Sequence, residues 1–285
     1  MSWVTIIWVA IASVCVTTAV LHVLVWFRRQ AAWGHLFFAL SATGTGLLAC
    51  CELWMMRAAT PVEFGLALRL CHLPAWLVIV SLVGFLQFHM RAGRGWLALT
   101  VCGLRTLSLI LNFSFTPNLN YREITAIQQF PFLDESVTVA VGESNPWMLV
   151  GQVSLLLLVA FVLDAAWSVW RRGDRRQALV LGGSIACFTL AGASQAVLFL
   201  WGLISAPLMT SVFYLGFVVA MGYELSSDLL GAAQLADTLR QRETELSHER
   251  AVTDAVFDSV PGLLYLYTAE GKLVRWNRQH ETRTG

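Results

Sequence analysis

Long apolar stretches, separated by short polar segments, follow one another along most of the chain. Each is about as long as the roughly 20 residues that a helix needs to cross a bilayer, and a helix satisfies every backbone amide inside lipid. No basic residue precedes the first stretch, so we interpret it as a retained helix and not as a signal peptide. The pattern predicts seven transmembrane helices, at residues 4–27, 33–56, 64–90, 96–115, 147–170, 178–201 and 207–223.

The connections between these predicted helices differ in arginine content. The first, third and fifth connections carry two to four arginines each, whereas the second and fourth carry only Arg57 and Arg122. Because arginine and lysine are enriched on the cytoplasmic side of a membrane, the pattern predicts an outer N-terminus and a cytoplasmic C-terminus. An odd number of spans leads to the same orientation.

The fourth connection, residues 116–146, is the longest. Residues 136–141 alternate between polar and apolar side chains, which predicts a short β-strand. Two interpretations stay open for this segment. It forms a lid over the outer end of the helix bundle, or it is a plain connector.

Composition supports lipid as the main solvent of the chain. Charged residues make up only 13% of the sequence, whereas soluble domains carry about a quarter. All six cysteines lie in apolar stretches and are interpreted as packing residues. A net charge of +1 gives no indication of a nucleic-acid partner. The bundle has no lysine for a retinal Schiff base, and we predict no cofactor, no metal site and no catalytic residue.

The composition changes at Leu225. Residues 225–257 form a polar stretch in which a seam with heptad spacing runs from Leu225 to Phe257, apolar in its early part and polar at Glu243, Arg250 and Thr253. This predicts a cytoplasmic linker helix that pairs with a second copy of the chain, and a single solvated helix is the alternative. Residues 258–285 then predict a turn, a strand at 263–267, a tight turn, a strand at 272–276 and a helix capped by Asn277. We expect this soluble domain to be incomplete at Gly285.

Polar side chains inside lipid are costly and are therefore functional candidates. We predict that Glu52 pairs with Arg69 from the neighbouring helix. The outer polar set lines a cavity for a small polar or amphipathic ligand, or it forms hydrogen bonds that hold the helices together. The predicted topology places seven such residues in the outer half of the bundle: Glu52, Arg69, His72, Asn112, Gln152, Gln195 and Tyr214.

A second polar set lies near the predicted cytoplasmic side. His22, His35 and His89 are at similar depth, which is compatible with haem or metal ligation but more typical of histidines at the membrane interface. Arg105 and Asp164 are interpreted as paired or as reaching the interface.

Two parts of the sequence resemble known families. The letters AVFDSVPGLLY at residues 255–265, EGKLVRWN at residues 270–277 and the final Thr284-Gly285 resemble the opening of a PAS domain. The membrane part resembles the N-terminal seven-helix region of bacterial sensor histidine kinases. That likeness is carried by Glu52 with LCHLPAW at 70–76, by RRQA at 175–178, and by MGYELSSDLL at 221–230 with AQLA at 233–236.

These resemblances imply an all-α membrane protein with a seven-transmembrane-helix sensory domain (1–224), a linker helix (225–257) and an incomplete α/β PAS start (258–285). They imply the input module of a histidine kinase in a bacterial inner (plasma) membrane, with a response regulator as partner of the intact parent. A sensory module of a diguanylate cyclase, a small transporter and a haem- or metal-dependent membrane enzyme are the alternatives. The ligand is an unknown small molecule.

Overall fold

The computed structural model describes residues 2–28, 30–204, 206–278 and 282. The chain divides into two compact units, Met1–Leu225 and Ser226–Gly285. The helices in chain order are α1 (Trp3–Arg28), α2 (Trp33–Arg57), α3 (Pro61–Gly84), α4 (Gly95–Ser114), α5 (Met148–Arg171), α6 (Arg175–Gln177), α7 (Gly183–Leu200) and α8 (Thr210–Ser259). A π-helical turn, Phe85–His89, extends α3, and a second one, Ala178–Gly182, joins α6 to α7.

Among the described residues, six helices are long and apolar enough to cross a membrane: α1, α2, α3 with its π-helical turn, α4, α5 and α7. They confirm the first six predicted segments and are what a multi-pass membrane protein requires. The seventh predicted segment, residues 207–223, falls at the start of α8, which is not one of the six.

The helix core contains large, fully buried side chains, among them Trp8, Phe38, Phe64, Phe161 and Phe217. The outward surface is also apolar, with exposed side chains such as Val16, Leu99 and Leu156. A helix that is apolar on both its inner and outer faces is typical of a membrane span. The apolar outer faces are therefore those that a membrane span requires, while packing of the bulky inner side chains holds the helices together.

Local sequence explains where several helices begin. The Thr60 side chain accepts a hydrogen bond from the Glu63 amide at 3.2 Å, and Pro61 occupies the first turn of α3. Asp174 caps α6 in the same way by accepting from the Gln177 amide at 3.0 Å. Such caps satisfy amides that have no partner within the helix.

A β-hairpin connects α4 to α5. Strand β1 (Tyr121–Phe132) pairs antiparallel with β2 (Glu135–Ser144) through a two-residue turn, in which both Leu133 and Asp134 have positive φ. This is the turn geometry that matches the twist of a hairpin. The strand predicted at 136–141 is confirmed, whereas β1 was not predicted.

The hairpin packs against the end of the helix bundle. Thr138 Oγ1 donates a hydrogen bond of 2.9 Å to the Ala58 carbonyl, and Arg57 forms an ion pair of 3.0 Å with Glu135. Val137 is fully buried in the same core as the helices. We call this side of the bundle the hairpin end, and the packing there is that of a cover fixed to the bundle rather than of a loose connector.

The second unit contains the rest of α8 and two short strands. Strand β3 (Tyr265–Tyr267) pairs antiparallel with β4 (Leu273–Trp276), which confirms the two predicted strands. Asn277 was predicted to cap a helix. Its Oδ1 accepts from the Leu264 amide at 3.1 Å and its Nδ2 donates to the Gly262 carbonyl at 2.8 Å, so it fixes the loop before β3. The amides that a cap at Asn277 would bond belong to residues outside the described ones. The helix predicted after Asn277 and the final Thr284-Gly285 lie largely outside the described residues.

Candidate functional site

A cavity of about 80 Å³ lies among the helices at the hairpin end. We call it the hairpin-end cavity. Its wall is mostly apolar, with Leu48, Leu68, Leu155, Leu200 and Leu208 among its members. Its polar members come from α3, α4, α5, α8 and the foot of the hairpin, and they are His72, Arg105, Ser108, Asn120, Gln152, Thr210 and Tyr214. An apolar wall with a few converging polar groups is typical of small-molecule sites.

Three of the seven predicted site residues, His72, Gln152 and Tyr214, line this cavity together. Glu52 lines a smaller adjoining cavity of about 10 Å³, which also contacts Leu208. Arg69, Asn112 and Gln195 line neither of these two cavities. The predicted set is therefore partly one site and partly a set of contacts between helices.

Glu52 does not pair with Arg69, so that prediction was wrong. Glu52 is completely buried, and its carboxylate accepts from Trp8 Nε1 at 3.0 Å, from the Ser211 amide at 2.9 Å and from the Ser211 hydroxyl. Arg69 instead donates to the Phe113 carbonyl, with its guanidinium 5.4 Å from the centre of the Phe113 ring. The partners of both side chains are therefore neutral groups of neighbouring helices, and Arg69 Nε has no partner in the described structure.

Asn112 and Gln195 act as links between segments. Asn112 Nδ2 donates to the Arg69 carbonyl at 2.9 Å, and its Oδ1 accepts from the Leu119 amide at 3.1 Å. Gln195 Nε2 donates to the Pro207 carbonyl at 3.0 Å. Asn112 therefore joins α4 to α3, which supports the interpretation of interhelical hydrogen bonding, and Gln195 joins α7 to the segment before α8.

Arg105 is the main cavity residue that sequence reasoning missed. Its side chain is 9% exposed and lies within electrostatic reach of His72 and Tyr214. The ion pairs found in the described part of the chain involve Arg57, Arg94 and Arg275. None of them involves Arg105.

A signal for Arg105 was present in the sequence. Arg105, Ser108 and Asn112 recur at three- and four-residue spacing, and all three are buried on one face of α4. Polar residues at this spacing form a single stripe along a helix. A polar stripe within an apolar span was therefore a stronger indication than the single arginine taken alone.

Two cavity residues have buried donors without a partner in the described structure, Ser108 Oγ and Gln152 Nε2. Gln152 Oε1 accepts from Trp201 Nε1 at 3.1 Å. Because an indole nitrogen can only donate, this contact identifies the amide oxygen and leaves the NH₂ group as the unpaired atom. The cavity therefore presents a cation and unused donors from two neighbouring helices.

A hydrogen bond to the backbone orients the His72 ring. Its Nδ1 donates to the Leu68 carbonyl at 3.1 Å, and Asn120, just before β1, lines the cavity with it. The carbonyl partner assigns the proton to Nδ1. His72 on α3 and the foot of the hairpin thus border the same cavity.

The second polar set lies at the other end of the bundle. His22 and His35 contact each other through Nδ1 atoms 2.8 Å apart, and the His89 ring packs against Gly34. No group of three His, Cys, Asp or Glu side chains placed to hold a metal ion occurs among the described residues. Asp164 forms an ion pair of 3.3 Å with Arg94, as the paired interpretation predicted.

No protein-family model matches this chain, and no curated protein matches it significantly. The fold and the cavity define its class: an α-helical protein whose described residues include six helices able to cross a membrane and a mostly apolar cavity with a few polar groups at the hairpin end.

Proposed function

We propose that the chain is the membrane sensor (input) module of a signal-transduction histidine kinase. In this proposal the start of α8 is a seventh membrane crossing, the N-terminus lies outside, and residues 258–285 open a PAS domain. The observation that carries the proposal is the position of α8. Thr210 and Tyr214 in its first turns line the hairpin-end cavity, and the same helix continues to Ser259.

The proposed mechanism is a population shift. A ligand in the cavity contacts α3, α4, α5 and α8 together, and it favours whichever arrangement of these helices binds it more tightly. Shifts and rotations of helices are common in conformational switching. In this proposal α8 moves in this way. The linker portion of α8 then passes the change to the PAS-like segment, and onward to a phosphorelay with a response regulator.

The linker portion of α8 is proposed to pair with a second copy of the chain. Its predicted seam contains Leu229, Leu239 and Leu246, whose side chains are 37%, 58% and 57% exposed in the single chain. Leucines exposed at heptad spacing on an otherwise polar helix are what a two-stranded coiled coil buries.

The full chain fused to the catalytic core of a histidine kinase, in lipid nanodiscs, tests the proposal. One alanine inserted after Glu243 rotates the rest of the helix by about 100°, whereas seven inserted residues nearly restore its phase, within about 20°. We expect the single insertion to change autophosphorylation severalfold and the seven-residue insertion to preserve it.

Equal autophosphorylation in all three fusions would contradict transmission through α8. If the insertions changed the output of a fusion to a cyclase core but not of the fusion to a kinase core, the module would be assigned to a cyclase. Solute flux through liposomes that contain the unfused chain would favour the transporter alternative.

A further inference from the structure

We infer that the hairpin-end cavity binds a small monocarboxylate with a short apolar chain, and that Arg105 binds its carboxylate group. This inference rests on the proposed function, because it names the ligand class of the sensor's cavity. Three features of the cavity support this ligand class: its charge, its unused hydrogen-bond donors and its apolar wall.

The charge of Arg105 requires compensation. A cation inside the membrane region is expensive unless an anion or an aqueous cavity compensates it. Arg105 is 9% exposed and has no ion-pair partner among the described carboxylates. The buried carboxylate of Glu52 is already engaged by Trp8 and Ser211. An anionic ligand in the cavity would supply the missing partner.

The unused hydrogen-bonding atoms that share the cavity with Arg105 can both donate. Ser108 is 1% exposed and Gln152 is 8% exposed, and Ser108 Oγ and Gln152 Nε2 have no partner in the described structure. A methyl group placed on Gly151 would lie 3.0 Å from Ser108 Oγ and 3.7 Å from Arg105 Nη1. Glycine at position 151 therefore lets α5 approach Ser108 closely, and it brings the α5 wall of the cavity next to both groups. A carboxylate has two oxygens that accept from a guanidinium fork and from such neighbouring donors.

The remaining wall restricts the rest of the ligand. Leucines surround the polar groups, so a hydrophilic body would lose its hydration without gaining partners. One guanidinium balances one negative charge, and a dianion such as phosphate would keep an uncompensated charge. A short apolar chain suits a cavity of about 80 Å³.

Binding measurements on the full chain in nanodiscs test the inference. The probes are butyrate, its neutral isostere butyramide, and inorganic phosphate, with saturation-transfer NMR and calorimetry as readouts. We expect saturable binding of butyrate only. Arg105→Gln should weaken it at least tenfold, because hydrogen bonds to charged groups are the stronger ones. Ser108→Ala, which removes a hydroxyl without a partner and should not disturb folding, should weaken it severalfold.

Arg69→Gln is the matched control, since Arg69 lies on a neighbouring helix and does not line the cavity. It should leave butyrate binding unchanged, with circular dichroism reporting the fold of each variant. Absence of saturable butyrate binding, equal binding of butyramide or phosphate, or full binding by folded Ser108→Ala and Arg105→Gln would overturn the inference. Butyrate binding that leaves kinase output of the fusion unchanged would instead contradict only the sensor function. Helix-phase-dependent output without butyrate binding would contradict only the ligand class.

Discussion

Glu52 and Arg105 are two buried charged residues that the bundle accommodates in different ways. Glu52 on α2 accepts from Trp8 on α1 and from Ser211 on α8, so its carboxylate joins three helices. Arg105 has no comparable partner in the described chain and faces a cavity. Because an unpaired buried charge is destabilising, the first residue stabilises the bundle and the second is available for binding.

Replacing Glu52 tests its structural role. Glu52→Ala leaves the Trp8 indole and the Ser211 amide without an acceptor, and each unsatisfied buried donor costs about 1–3 kcal/mol. We therefore expect a loss of roughly 2–6 kcal/mol in unfolding free energy, and a smaller loss for Glu52→Gln, which keeps one oxygen. Thermal unfolding in detergent measures both, with Glu123→Ala at an exposed site as the control. Equal stability of Glu52→Ala and wild type would contradict this role.

Glu135 makes hairpin docking dependent on pH. The Ser2 hydroxyl, the Val4 amide and the Arg57 guanidinium hold the pKa of the Glu135 carboxyl below its usual range. A lowered folded-state pKa means that this stabilisation is present above the unfolded pKa of about 4.3 and is lost as pH falls through the folded value. The unfolding temperatures of wild type and Glu135→Gln should therefore differ at neutral pH and converge in acid. A difference in unfolding temperature that is the same at neutral and at acid pH would contradict this role of Glu135.

At the level of elements, apolar length was enough to predict six spans but not the hairpin. The spans follow directly from hydrophobicity, because lipid leaves no alternative to a helix. Strand β1 was missed because its sequence does not alternate: register shifts interrupt the pairing between Tyr121 and Ala126, and Gln128-Gln129 and Pro131 break the pattern in the regularly paired part. Strand β2 keeps its alternation at 136–141 and was found.

The residues of the cavity could also be predicted from the sequence only in part. Sequence spacing predicted that His72, Gln152 and Tyr214 lie at one depth, and the structure places them in one cavity. It did not predict that Arg69 faces Phe113, because depth alone does not determine which face of a helix a neighbour covers. Partners across helices depend on rotation about the helix axes, which an apolar stretch with no polar face leaves undetermined.

Gly142 tests how closely the two strands of the hairpin must approach each other. A methyl group at this position would lie 2.1 Å from the Glu123 carbonyl oxygen. Gly142→Ala should therefore shift the register and destabilise the hairpin by about 1–3 kcal/mol. Hydrogen exchange at residues 121–144 should accelerate. Gly103→Ala, at a helical position with open space around it, is the matched control and should leave the exchange unchanged.

For the whole molecule, the number of crossings decides the side on which the linker lies. Six crossings return the chain to the side of the hairpin, whereas a seventh crossing by α8 places residues after 225 on the opposite side. Tyr214 and Phe217 in the first turns of α8 are buried, and Glu224 is the first acidic residue after them. The proposed sensor needs the seventh crossing, because its cavity and its output must face different compartments.

Single cysteines report the side directly. We expect a membrane-impermeant maleimide to label Asp134→Cys at the hairpin turn in intact cells, because both crossing models place this exposed position outside. Glu243→Cys on the exposed linker should be labelled only after permeabilisation, as should Gln30→Cys in the first connection, which is the inner control. The parent chain with its six native cysteines provides the background. Labelling of Glu243→Cys in intact cells, with Gln30→Cys protected, would mean that α8 does not cross. It would remove the physical route from the hairpin-end cavity to a cytoplasmic kinase.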